Sequence, residues 1–158
     1  MNNFQTTTAT NISDYRNYQG GYFKTLISPE QTNGTMALVD MTLPKGVEPP
    51  PHCHTNEDET FYVLEGAMTF RVGEKTVEAR AGDSVFAPRM VPHEFIINST
   101  TARFLTVITP GKFLEYFMEF SFPAAEELSI VPPQGPPPPA IITHMTKQLS
   151  EKYGVLFI

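Results

Sequence analysis

The chain has one cysteine, Cys53, in 158 residues. No disulfide can form within it, and nothing in its composition calls for an oxidising compartment. It is also short of basic residues, with 11 Lys and Arg against 17 Asp and Glu and a net charge of -6. Nucleic acid and anionic membrane surfaces need a basic face, which this balance does not supply, so neither is an expected partner. No run approaches the roughly 18 apolar residues of a membrane span. The start, Met1-Asn2-Asn3-Phe4-Gln5, has neither the cationic cluster nor the apolar stretch of a leader. The expected location is the cytoplasm. No internal repeat is present. What remains is a chain with 41% hydrophobic residues, enough for one domain to bury a core unaided.

Residues 1–14 are polar and are expected to form a flexible arm. From Tyr15 the texture changes to short apolar runs cut by Gly, Pro, Asn and Asp: 22–27, 35–43, 61–64, 68–72, 76–79, 84–87, 93–97 and 103–108. Many short strands at regular spacing predict an all-β, antiparallel sandwich or barrel over 15–110, best satisfied by a jelly roll. After Ile108 the period switches. Thr109 and Pro110 read as the cap and first turn of a helix, and Phe113, Tyr116, Phe117 and Phe120 fall on one face of it. That face is expected to dock on the outside of the sandwich or on a second subunit, rather than to form an aromatic box for a ligand. Residues 131–140 read as a polyproline strap. A last helix over 143–153 carries Met145, Leu149 and Tyr153 in line and stops at Gly154. Residues 111–158 are thus a helical and proline-rich extension. Polar arm, strap and aromatic face together predict a homodimer with crossing tails.

The chemistry concentrates between Gly46 and His93. On extended backbone His52 and His54 point to one side and Cys53 to the other. Glu59 opens a β-branched and aromatic run whose alternation brings its carboxylate toward those imidazoles, and His93 opens the apolar run 93–97. Three imidazoles and a carboxylate are a donor set for a divalent transition metal, with one or two positions left for a ligand. Glu57 and Asp58 are closer neighbours of the histidines, but strand parity favours Glu59 and leaves those two as loop solvation. The same parity turns Phe61, Val63, Phe95 and Ile97 inward, and Met90 joins them from the loop before His93, giving a largely apolar substrate cavity. Arg71 alternates away, Arg89 lies in a loop, and Arg103 could face either way. A cavity for an anion would want an inward cation, so a small aromatic or enolisable substrate is favoured. His144, at the start of the last helix, is expected on the surface.

Residues 46–66 read G-x5-H-x-H-x4-E-x6-G and residues 82–98 read G-x5-P-x-M-x2-H-x4-N. Together they resemble the two conserved motifs of the cupin superfamily. Met90 stands where that family usually has glycine, which implies a different turn, and Asn98 comes one residue late. The wider layout is similar to small cupins of the quercetin dioxygenase-like group. The resemblance implies a cupin barrel with one divalent metal (Fe, Mn, Ni, Co, Cu or Zn) on His52, His54, Glu59 and His93. In the flavonol dioxygenases that the chain resembles, the glutamate matching Glu59 is proposed to take a proton from a substrate hydroxyl, which makes Glu59 the expected catalytic residue. The expected activity is that of a metal-dependent dioxygenase on a small molecule. The alternatives are a sugar isomerase or epimerase and a non-catalytic, metal-bound small-molecule-binding protein.

Overall fold

Alternation of inward and outward residues organises the chain from Tyr15 onward in the computed structural model, which describes residues 11–125 and 127–158. Ten strands follow in order: β1 (Tyr15–Tyr18), β2 (Gly21–Ile27), β3 (Ala37–Pro44), β4 (His52–His54), β5 (Asp58–Glu65), β6 (Ala67–Val72), β7 (Lys75–Arg80), β8 (Ser84–Ala87), β9 (His93–Ile97) and β10 (Thr101–Thr109). The extension adds helix α1 (Leu114–Glu119), strand β11 (Phe122–Pro123), helix α2 (Pro139–Glu151) and strand β12 (Val155–Phe157). One sheet runs β11-β1-β2-β3-β10-β5-β8 and the other β12-β4-β9-β6-β7. Every pairing is antiparallel. This is the expected antiparallel β jelly roll, and each expected strand is present with small shifts at its ends.

The core lies between the two sheets because each strand offers it alternate residues. Strand β3 contributes Ala37, Val39, Met41 and Leu43, and β10 contributes Ala102, Phe104, Thr106 and Ile108. Phe61 of β5 lies 5.1 Å from Phe70 and 6.2 Å from Phe104, ring centre to ring centre, and Phe95 lies 5.6 Å from Phe104. These four rings are buried together. Cutting any one back to alanine would cost about 3–5 kcal/mol.

The tail departs from expectation in three ways. The helix after β10 begins later: Thr109 stays in the strand, Pro110 takes the cap position, and a 3-10 turn at Gly111–Phe113 leads into α1. The aromatic face of this segment packs inside the chain, at the mouth of its own sandwich. Phe117 sits 5.9 Å from Phe23 and 5.5 Å from Tyr18. The last helix starts at Pro139, four residues early and inside the expected strap, because proline at a first helical position gives up no hydrogen bond.

Strand β12, which no expectation covered, pairs with β4, placing Val155 opposite His54 and Phe157 opposite His52. The turn from α2 into β12 depends on Gly154, whose φ is +68°, and a Cβ there would collide with the Thr55 and Asn56 side chains. Strand β11 likewise pairs with β1, so the extension is sewn into both sheets. Of the expected arm, residues 1–10 lie outside the described residues. Ile12–Asp14 form a 3-10 turn whose Asp14 pairs with Lys24 at 3.0 Å. Among the described residues no helix is long and apolar enough to cross a membrane.

Candidate metal centre

Strand β4 and the starts of β5 and β9 meet at one end of the sandwich, and each delivers its ligand by register. His52 is paired directly with His93 across β4 and β9. His54 follows two residues on, and Glu59 is second in β5. One donor atom from each of His52, His54, Glu59 and His93 lies within 4.8 Å of the others, and all four residues are buried. Glu59 Oε2 is 3.2 Å from His93 Nε2 and 3.4 Å from His54 Nε2. The opposite ring nitrogens are each turned to an acceptor. His52 Nδ1 faces the Pro50 carbonyl at 2.8 Å, His93 Nδ1 the Val91 carbonyl at 3.0 Å, and His54 Nδ1 the Glu57 carboxylate at 3.4 Å.

A ring nitrogen that donates outward leaves its partner nitrogen as a bare lone pair pointing inward, which is how metal-binding histidines are held. The donor set therefore fits a divalent transition metal. Glu57 is not the solvated loop residue expected from parity. It is 5% exposed, and its Oε2 lies 3.4 Å from His54 Nδ1, two buried atoms with no hydrogen-bond partner among the described residues, so its charge faces that ring. Its position three residues after His54 was the only signal for it. Asp58 does stay out of the site, receiving the Arg89 guanidinium at 2.8 Å.

The charges are mutually arranged. Burial works against an ionised Glu59, but the imidazoles, His54 foremost, outweigh it and hold its pKa down at about 2. Burial is also the main force on His52, whose pKa is pushed down to about 4, so this ring is neutral near neutral pH and ready to bind a cation. For His54 burial is opposed by Glu59 and Glu57, which together raise its pKa above the ordinary value.

The cluster opens into a cavity of about 300 Å³, at the small end of ligand pockets. The barrel side of its wall includes Met41, Leu43, Phe61, Phe95, Phe104 and Thr106, and the tail side includes Phe113, Tyr116, Phe117, Ile142, Met145 and Leu149. Phe113 stands edge-on to His54 at 4.5 Å. The aromatic stripe thus lines the ligand cavity, the outcome that amphipathicity alone had made the less favoured. No Lys or Arg is among the described wall residues. Arg103 faces outward to Asp40 at 2.7 Å and Glu65 at 3.3 Å, and Arg71 pairs with Glu94 at 2.6 Å.

Of the expected substrate contacts, Phe61 and Phe95 reach the wall, whereas Val63 and Ile97 lie one step deeper on the same strand faces and are wholly buried in the core. Met90 is 61% exposed and outside the cavity. Its φ is +63°, the left-handed conformation that suits glycine. The turn is therefore the one a glycine would make, with the Met90 N–H donating to the His54 carbonyl at 2.8 Å. His144 is exposed, as expected.

Comparison with known proteins agrees with this geometry. The cupin domain family profile matches residues 39–108, the span from β3 to β10 that carries all four donor residues. Quercetin 2,3-dioxygenase of Bacillus subtilis is 30% identical over 94 residues, which cover 60% of this chain and only 28% of that enzyme's length. Among solved structures, a protein described as a predicted oxalate decarboxylase from Thermotoga maritima superposes with a TM-score of 0.56 at 24% identity, over 65% of this chain and 99% of that one. The polyketide cyclase RemF of Streptomyces resistomycificus superposes with a TM-score of 0.51 at 27% identity, over 66% and 80%. Two facing antiparallel sheets, a three-histidine and one-glutamate cluster delivered by β4, β5 and β9, and the matching family profile mark residues 39–108 of this chain as a cupin domain.

Proposed function

We propose that the chain is a metal-dependent dioxygenase acting on a small aromatic or enolisable substrate. The observation that carries this reading is the setting of the donors, which open into an aromatic and aliphatic cavity with no cationic side chain among its described wall residues. A divalent transition metal held by His52, His54, Glu59 and His93 would supply Lewis acidity and, where it is redox-active, a route for electrons to dioxygen. Two carboxylates face the cavity. Those of Glu48 are committed, Oε1 to the Ile97 N–H at 2.9 Å and Oε2 to the Gly46 N–H at 2.8 Å. We take Glu59, ionised and free of backbone partners, as the group that would accept a proton from a substrate hydroxyl. The rings of Phe113 and Phe117 and the inner side of α2 line that side of the cavity and would limit water at that exchange.

The similarity to a quercetin dioxygenase supports the same reading. A sugar phosphate or oxalate would find no countercharge in the wall, which weighs against isomerase or epimerase chemistry on such substrates. A second reading, ring closure or isomerisation of a flat substrate without dioxygen, draws on the similarity to the polyketide cyclase. Oxygen-electrode measurements on metal-reconstituted protein with quercetin and with a simple enediol separate the two. Uptake in step with substrate loss is expected, and product formation without uptake would replace the first reading by the second. In the same assay Glu59→Gln retains part of the metal and loses at least about a hundredfold in uptake, whereas full activity would remove its role as base.

A further inference from the structure

The cavity has a second polar group of side chains that metal ligation does not use. Tyr18 comes from β1 and Tyr116 from α1, and both line the chamber. Both rings pack edge-on against Phe117, Tyr18 at 5.5 Å and Tyr116 at 5.6 Å between ring centres. The Tyr116 ring is stacked on Phe113 at 5.2 Å, and Phe113 in turn stands against His54 at 4.5 Å. Tyr116 is thus set one aromatic ring away from the four-residue cluster, and Tyr18 lines the same cavity. Burial pushes the Tyr116 phenol up to about 12 and Tyr18 well above the ordinary phenol value, so both are intact O–H groups at neutral pH. In a wall otherwise dominated by apolar side chains, two hydroxyls from distant parts of the chain form a focus that can donate to and accept from one ligand oxygen.

We propose that Tyr18 and Tyr116 are the substrate-orienting residues of this cavity, hydrogen-bonding an oxygen substituent of a planar aromatic ligand whose other oxygenated end lies at the His52, His54, Glu59 and His93 cluster. The inference rests on the aromatic-substrate reading above and narrows it. The ligand is a flat polyphenol-like molecule with oxygen at two sites about one ring apart, and a molecule oxygenated at one end satisfies only the metal end.

The test compares quercetin with 3-hydroxyflavone, which has the same ring system without the remote hydroxyls. Binding to the metal-loaded protein is measured by calorimetry without oxygen. The wild-type chain prefers quercetin by about tenfold, the worth of a buried hydrogen bond. Tyr18→Phe with Tyr116→Phe erases that preference, leaves 3-hydroxyflavone affinity in place, and leaves metal content, the check on folding, at the wild-type value. The proposal is overturned if the wild-type chain shows no preference, if the preference survives in the double variant, or if both probes weaken equally, which would mark the tyrosines as packing alone. Preference without any oxygen uptake sinks the dioxygenase reading and leaves the phenol pair standing. Oxygen uptake with a preference that ignores the tyrosines does the reverse.

Discussion

The cavity has two walls of different construction. The barrel wall is made of paired strands whose inward residues are almost all buried, and His52 and His93 are held by backbone carbonyls at Nδ1. The tail wall joins the buried rings of Phe113, Tyr116 and Phe117 to helix α2, which has no buried residue of its own and is held at its end. There Glu119 accepts from the Tyr153 hydroxyl at 2.6 Å and the Lys152 ammonium at 2.8 Å, and β12 adds its ladder to β4. Ligand geometry thus sits on the stiff side, where small displacements are costly. The side built on α2 is the one expected to open at the lower free energy.

The largest test of this division is His93→Ala. It should abolish stoichiometric metal binding, read by mass spectrometry of the native protein, while amide exchange in α2 stays as it was; retained metal would show that the cluster does not depend on β9. Acid titration of metal-free protein comes next. An unfolded His52 takes up a proton below about 6.5, whereas the folded one resists until about 4, so protons favour the unfolded chain in that window. Stability should fall by on the order of 3 kcal/mol as pH drops through it, and His52→Asn should flatten the slope. His54 has the opposite sign, since its raised pKa gives stability that is present at low pH and lost as pH rises through the folded value. Denaturant midpoints should therefore peak near neutrality.

Glu119→Ala addresses the other wall. Hydrogen exchange should quicken several-fold in α2 and β12 and remain unchanged in β5 and β9; a uniform change would mean that the two walls open as one. The smallest effect is expected at the barrel rim. Met90→Gly relieves a left-handed backbone at an exposed position and should raise stability by about 0.5–1 kcal/mol in denaturant titration, with metal content unaltered.

The barrel wall was legible and the tail wall was not, for a physical reason. Period-two patterning fixes which residues of β5 and β9 face inward, so Glu59, Phe61, His93 and Phe95 could be placed together from the sequence. Patterning does not say how far along a strand the cavity reaches, and this is why Val63 and Ile97 were expected in the wall and lie beneath it. A helical stripe such as Phe113, Tyr116 and Phe117 states that a face must be covered, but not by what. Partners far apart in sequence, such as β12 against β4 or Tyr18 against Phe117, leave no local trace. Glu57 became buried only through the path of its loop.

The pairing of β12 with β4 has a consequence for descent. Its ladder is made by backbone groups, which are the same whatever side chains the segment carries. Residues at Ile142, Met145 and Leu149 can therefore drift under selection while the anchor stays in register beside His52 and His54. On this plan the cavity's tail side can be rewritten without moving the strand that carries His52 and His54.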